Sequence, residues 1–246
     1  MRTPGPDGPP APVEYPVTLY LDDEEHVTVQ ATPLDLEDFA IGYLYAEGLI
    51  AGPEDIRRLA ADPERGLIWV DLRHPVAGAT GPGGPRPVQG AERGVLPGGL
   101  DALRPVPEGV RVARRDLVEW LKVMGRSTPL YRRSGGVHAA MLVHVPSGEH
   151  VIREDIGRHN AVDKVIGAAL RRGWTGPEAV LLTSGRISFE MCARLVRFGA
   201  GLAASRTTAT DMAVELAGRM GVDLIGYLRG ERDLALFTSG RRLLDP

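Results

Sequence analysis

Apolar and polar residues alternate from Tyr15 to Thr32 in two β-prone runs that flank the acidic turn Asp22–Glu25. That pattern predicts a hairpin. The next window, TPLDLEDFAIGYLYAEGLI, reads as a helix. Thr32 suits its N-cap, Pro33 its first position, and Gly48 its stop. Asp35, Glu37 and Asp38 stand where the helix dipole favours acids. A strand is expected at GLIWVDLR, Gly66 to Arg73. RRDLVEWLKVMG has the spacing of a short amphipathic helix, and GGVHAAMLVHVPSGEHVIRED reads as two strands around Pro146-Ser147-Gly148. From Gly157 the rhythm changes. HNAVDKVIGAALRRG places Ala161, Val162, Val165, Ile166, Ala169 and Leu170 on one helical face. Strand AVLLTS, helix ISFEMCARLVRF, strand GLAASRT, helix ATDMAVELAGRMG and strand DLIGYLRG follow. Such alternation predicts parallel crossovers and a sheet covered on both faces, an α/β architecture.

Glycine and proline mark the breaks between these elements. Residues 1–14 read as a disordered tail and 76–110 as a long Gly/Pro-rich loop. Between them lies an N-terminal hairpin–helix–strand region, 15–75, and after them a C-terminal α/β domain, 111–246. The 246 residues suffice for a substantial core, and 43% hydrophobic with 25% charged residues is ordinary globular usage. A formal net charge of −3 gives no argument for nucleic acid or an anionic membrane as partner. No segment has the apolar length needed to cross a bilayer. The single cysteine, Cys192, excludes an intrachain disulfide and a cysteine-based metal cluster. One thiol and no export signal lead to the expectation of a cytoplasmic protein.

Ligands of open α/β sheets sit at the carboxyl ends of the strands. Three such ends are legible here: TSGRIS (183–188), SRTTAT (205–210) and YLRGER (227–232). Hydroxyls, backbone N–H groups and helix dipoles at the first two form an anion cradle. Arg186, Arg206, Arg229 and Arg232 add forked donors suited to phosphate or carboxylate. N-capping and turn formation explain any one such loop better than a ligand does, and only the coincidence of two of them with a basic loop at one edge brings the cradle level with that reading. His138 and His159 are the histidines to weigh; Glu154, Asp155 and Asp163 lie close in sequence to His159. The polar cluster EDIGRHNAVDKVIG either holds a ligand or caps and solvates a helix. Cys192 falls within an amphipathic helix, where a thiol usually packs as a small hydrophobe. A zinc deaminase needs H-x-E and C-x-x-C. Here Ala139 and Ala140 follow His138, and there is no cysteine pair. P-loop, G-x-G-x-x-G and G-x-S-x-G patterns are also missing. No metal ligand set and no catalytic residue emerges from the residues alone.

The segments TPLDLEDFAIGYLYAEGLI, GGVHAAMLV, EDIGRHNAVDKVIG, LTSGRISFEM, ASRTTATDMAVELA and IGYLRGER occur in this order between about Tyr15 and Arg242. Together they resemble the FdhD family, the formate dehydrogenase accessory sulfurtransferases. The resemblance implies a cytidine-deaminase-like layered fold with a mixed sheet, a smaller N-terminal α/β subdomain, and a homodimer without deaminase activity. It implies transfer of persulfide sulfur from a cysteine desulfurase to the molybdenum (or tungsten) bis-guanine-dinucleotide cofactor, which then enters formate dehydrogenase. GDP or GMP would mimic that ligand. By the family pattern Tyr227, Leu228, Arg229, Gly230, Glu231 and Arg232 form the cofactor loop. The strand-end loops add Ser184, Gly185, Arg186, Thr207 and Thr208, and the signature segment adds His159 and Lys164.

One departure is chemical. The family carries sulfur on a C-x-x-C in a loop before the middle helix, and that place reads ERGVLPGGLDALRP here. Neither cysteine is present, and a persulfide requires a thiolate nucleophile. Three readings follow: an accessory protein that handles sulfur some other way, a cofactor chaperone that moves no sulfur, and a nucleotide-binding α/β enzyme using the same loops.

Overall fold

The computed structural model describes residues 10–74 and 103–244. The first nine residues of the expected tail, and positions 75–102 of the Gly/Pro-rich stretch, lie outside them. Residues 103–110 carry no regular element, although Leu103 is buried.

The N-terminal region is a four-stranded sheet with one helix on it. β1 (Tyr15–Leu21) and β2 (Glu24–Ala31) form the expected antiparallel hairpin. Its turn residues Asp22 and Asp23 have φ of 49° and 65°, the left-handed pair that matches the twist of a tight hairpin. α1 (Leu36–Ala46) follows, then β3 (Ile56–Asp62) and β4 (Leu67–Leu72). The strand order is β2-β1-β4-β3, with β1 parallel to β4. Val17, Leu19, Val27, Val29, Ile68 and Val70 point to one face and bury Phe39, Tyr43 and Leu44 of α1. This is the half-buried alternation that period-two patterning specifies.

α1 begins three residues later than its sequence suggests. Thr32 does not cap it; the residue before the helix is Asp35, with φ 52° and no side-chain cap bond. Tertiary partners have claimed Thr32 instead. Its N–H donates to Asp155 Oδ2 (3.1 Å), its hydroxyl accepts from the N–H of Ile156 (3.1 Å), and its carbonyl accepts from Lys164 Nζ (2.9 Å). Local capping propensity loses to three long-range bonds.

The larger body starts with β5 (Val112–Ala113), α2 (Arg114–Arg126) and a short α3 (Pro129–Ser134). β6 (His138–His144), β7 (Glu149–Asp155) and α4 (Arg158–Leu170) follow. The alternating run is β8 (Ala179–Thr183), α5 (Phe189–Phe198), β9 (Leu202–Ser205), α6 (Asp211–Met220) and β10 (Asp223–Gly226). β11 (Ala235–Leu236) and β12 (Leu243–Leu244) close the chain. Six strands make a mixed sheet in the order β11-β10-β9-β8-β6-β7. β8, β9 and β10 run parallel, and β6, β7 and β11 join antiparallel. Leu142, Leu181, Ala203 and Leu224 face α4, α5 and α6. Met141, Leu182, Ala204 and Ile225 face the other way, against Leu117, Val118 and Met124 of α2. Two-sided burial is why these strands read as continuous apolar runs.

Caps set the helix ends where the sequence has them. Ser188 and Thr210 accept from the N–H groups of Met191 and Ala213, and Gly199 and Gly221 close α5 and α6 in the left-handed conformation. α1 and α4 cross at two glycines. A Cβ on Gly42 would overlap the Asp163 carbonyl, and one on Gly167 would overlap the Asp38 carbonyl. The helices therefore meet backbone to backbone. Among the described residues no helix is long and apolar enough to cross a membrane.

Candidate functional site

The carboxyl ends of the three parallel strands meet at one edge, and backbone bonds lock their loops into a single surface. The N–H of Arg206 donates to the Thr183 carbonyl (3.0 Å), and that of Leu228 to the Ser205 carbonyl (3.0 Å). Ser205, fully buried, donates its hydroxyl to the Gly185 carbonyl (2.8 Å) and accepts from the N–H of Thr207 (2.9 Å). Ser184 and Ala139 exchange two bonds: Ser184 N–H to the Ala139 carbonyl, and Ala139 N–H to Ser184 Oγ, both 2.9 Å. β6 is thereby joined to the same edge.

A cavity of about 890 Å³ opens there. Ser184, Arg206, Thr207 and Arg229 form its strand-end wall, and His138 and Ala139 its floor. The opposite wall is Leu121 and Met124 of α2 with Tyr131 and Arg132 of α3. The strand-end residues thus offer exposed guanidinium groups and hydroxyls, and the helical residues an apolar and aromatic surface beside Arg132. That division suits a ligand with an anionic part and a flat apolar part.

The wall contributed by α3 was not legible beforehand, and Glu154 explains its position. The Glu154 carboxylate accepts from the N–H groups of Leu130 (3.0 Å) and Tyr131 (2.7 Å), satisfying the orphan donors at the start of that helix. Pro129 at the first turn and Gly135 in the left-handed C-cap position bound it. These two residues were the available signal.

His138 lies between Ser184 and Arg158. Its Nδ1 is 3.4 Å from Ser184 Oγ, and a Cβ on Gly185 would come within 3.2 Å of that nitrogen and 3.0 Å of Arg158 Cβ. Burial lowers its pKa, the neighbouring Arg158 charge lowers it further, and Asp155 opposes both. His138 is therefore neutral near pH 7. The unfolded chain takes up the proton more readily, so the stability associated with neutral His138 is fully present above about pH 6.5, the ordinary histidine value, and is lost as pH falls below that through the lowered folded value. The expected result is that His138→Gln flattens the fall in stability between pH 7 and pH 5. An NMR titration should place the His138 midpoint below about 6.5, the ordinary histidine value.

The remaining sequence candidates divide. Gly185 is buried behind the cavity and Leu228 is in the core, with 0% of its surface exposed. Tyr227 is 44% exposed with φ 52°, and Arg186, Glu231 and Arg232 are exposed, but none of them lines the cavity. Thr208 uses its carbonyl to accept from Ile187, continuing the strand pairing. Gly230 belongs to a turn in which its carbonyl accepts from Asp233 (3.2 Å) and the Asp233 carbonyl accepts from Arg229 (3.0 Å). That turn holds Arg229 at its stem and Glu231 and Arg232 at its tip.

His159 and Lys164 face inward, away from the cavity walls. His159 Nε2 is 2.9 Å from Ser188 Oγ and 3.3 Å from Glu190 Oε2. Lys164 is wholly buried and donates to Asp155 Oδ2 at 2.6 Å. Asp155 also accepts from the N–H of Thr32 and Gly157 (3.1 and 2.8 Å) and from Asn160 Nδ2 (3.0 Å). Asn160 Nδ2 in turn reaches the Gln30 carbonyl (2.9 Å). The density of polar residues in EDIGRHNAVDKVIG thus joins the two sheets, and its Glu154 sets the cavity wall.

Cys192 is buried in the core with no exposed surface, and burial pushes its thiol up to about 12. Among the described residues no group of three or more His, Cys, Asp or Glu side chains is placed to hold a metal ion.

Comparison with known proteins decides the family. Residues 12–244 match the family model of the FdhD/NarQ family. The chain belongs to the FdhD/NarQ family. A sulfur carrier protein FdhD of Anaeromyxobacter dehalogenans (strain 2CP-C) is 36% identical, with 94% of this chain and 87% of that protein aligned. The Geobacillus kaustophilus (strain HTA426) sulfur carrier protein FdhD is 30% identical over 89% of this chain and 84% of its own. Among solved structures, one assigned as a formate dehydrogenase accessory protein, from Desulfotalea psychrophila, superposes with a TM-score of 0.78 at 26% identity. It covers 95% of this chain and 90% of that one. The layered α/β fold with a mixed sheet is the one the motifs imply.

Proposed function

We propose that this FdhD/NarQ protein serves formate dehydrogenase maturation by holding the guanine-dinucleotide form of the molybdenum (or tungsten) cofactor, as cargo, in the cavity at the β8–β10 edge. The observation that carries the reading is the cavity itself: about 890 Å³, with Arg206 and Arg229 from the strand ends and Leu121, Met124, Tyr131 and Arg132 from the two helices. Guanidinium forks with Ser184 and Thr207 hydroxyls match phosphate oxygens, and an apolar wall with one tyrosine matches a purine face. Relatives named as sulfur carriers supply the maturation context. A cysteine desulfurase and a formate dehydrogenase catalytic subunit are the partners this role calls for, with a homodimer as the working form.

Sulfur does not travel on this chain's own thiol in this reading. A carrier needs an accessible thiolate of low pKa. The one cysteine here is sealed among the residues of α5 and held protonated by its surroundings. The protein then presents the cofactor, and the persulfide comes directly from its donor. Intact mass after incubation with a cysteine desulfurase and cysteine tests this. The expected result is no gain of sulfur while a cysteine-bearing control is loaded. A reductant-labile gain of one sulfur, abolished by Cys192→Ala, would make Cys192 a carrier and overturn it.

A further inference from the structure

A second cavity, of about 570 Å³, lies where the end of α1, the end of α5 and residues 103–107 come together, apart from the β8–β10 edge. Arg197 of α5 reaches into it. Its Nε is buried without a hydrogen-bond partner among the described residues. The contrast with its neighbours is chemical. Arg194, one turn earlier, donates to Asp163 at 2.7 Å with Glu47 at 3.9 Å; Arg153 and Arg171 both bind Asp38. Arg194 and Arg153 are thus held by carboxylates, whereas Arg197 faces a space. A buried donor without an acceptor is costly unless something fills the role.

The space is shaped around that side chain. Gly48 has φ +71°, and a Cβ there would come within 2.7 Å of Arg197 Nη1 and 3.1 Å of Cζ. A glycine thus both closes α1 and makes room for the guanidinium. Tyr45 steadies the same corner by donating its hydroxyl to the Arg197 carbonyl (3.0 Å). Arg104 adds a second guanidinium to the wall. The acid in the cavity, Asp55, is committed to the N–H groups of Ala51 (2.7 Å) and Gly52 (3.4 Å). Ile50, Val106 and Val196 supply the apolar remainder.

We infer that this cavity is a binding site for a small organic oxyanion, a carboxylate or phosphate on an apolar body, with Arg197 as its fork. The volume is that of a small-molecule pocket, and a few polar groups over apolar walls are its usual lining. The site is independent of the reading of the β8–β10 cavity.

Benzoate and its uncharged isostere benzamide are the probes, titrated into the full-length protein at constant ionic strength and followed by NMR, including the Arg197 Nε–H signal. Benzoate is expected to bind saturably, to shift that signal, and to bind at least about tenfold more tightly than benzamide, as a charge-assisted contact implies. Arg197→Gln should abolish the response, Arg197→Lys should weaken it, and Arg206→Ala with Arg229→Ala should leave it intact. The wild-type comparison of the two probes stands even where a variant fails to fold. No saturable benzoate binding, equal binding of benzamide, or a response that survives Arg197→Gln would overturn the proposal. A response lost in the Arg206/Arg229 variant would overturn it too, by assigning the effect to the other cavity.

Discussion

Asp155→Leu should lower the free energy of unfolding by about 3–5 kcal/mol, the usual cost of stranding one partner of a buried ion pair. Lys164 would then carry an uncompensated charge at a point with no exposed surface, held only by the Thr32 carbonyl at 2.9 Å and, more distantly, that of Glu154. The N–H groups of Thr32 and Gly157 would lose their acceptor as well. Those losses run across the joint between the two sheets, because Thr32 follows β2 while Asp155 ends β7. Lys164→Met should cost less than Asp155→Leu, since Asp155 keeps three other donors. The double variant should recover part of the loss, with a coupling between the two changes of about 0.5–3 kcal/mol. Urea unfolding monitored through a single transition gives all four values. A single-variant cost under about 1 kcal/mol would mean that water reaches the pair, contrary to its burial.

The second large effect is functional. Arg206→Ala together with Arg229→Ala should weaken GDP binding about a hundredfold. Each charge-assisted phosphate contact is worth about 1.5–3 kcal/mol, and the exposure of both arginines argues for the lower end, roughly tenfold apiece. The fold should tolerate the change. What anchors each residue is backbone: the N–H of Arg206 on Thr183 and the N–H of Arg229 on Asp233, both of which alanine retains. Arg186→Ala and Arg232→Ala serve as controls of equal charge change, because neither side chain lines the cavity. They should alter affinity only by long-range screening effects, and less as salt rises. Calorimetric titration at fixed ionic strength separates the two pairs. Equal losses for both pairs would show a diffuse basic surface in place of a site.

The fold was most legible where each element is self-sufficient. The run from β8 to β10 could be read directly, because continuous apolar strands alternate with helices that carry their own caps, Ser188 and Thr210 before and Gly199 and Gly221 after. β3 was missed: IRRLAAD turns its arginines to solvent at a sheet edge, and only its pairing with β4 makes it a strand. α3 was missed because six residues are too few for periodicity and its first turn is held by Glu154, more than twenty positions away. Thr32 misled for the same reason, its capping groups being spent on Asp155, Ile156 and Lys164.

The site was legible to the extent that topology dictates it. Parallel strands must present their carboxyl ends together, so Ser184, Thr207 and Arg229 could be chosen from the chain alone. Leu121, Met124, Tyr131 and Arg132 join them only through tertiary packing, which no local spacing records. The polar density of the segment from Glu154 to Gly167 was visible, but its purpose was not. Whether such a cluster faces a ligand or an interior depends on what folds against it, and here Thr32 and Gln30 do.

The most direct test of the account is NMR mapping of a GDP titration on the wild-type protein. Saturable shifts are expected at the methyl groups of Leu121, Met124 and Val137 and at the amides of Ser184, Thr207 and Arg229, the two walls of one cavity. An absence of saturable shifts, or shifts confined to residues outside those walls, would contradict the claim that this edge of the sheet holds a guanine nucleotide.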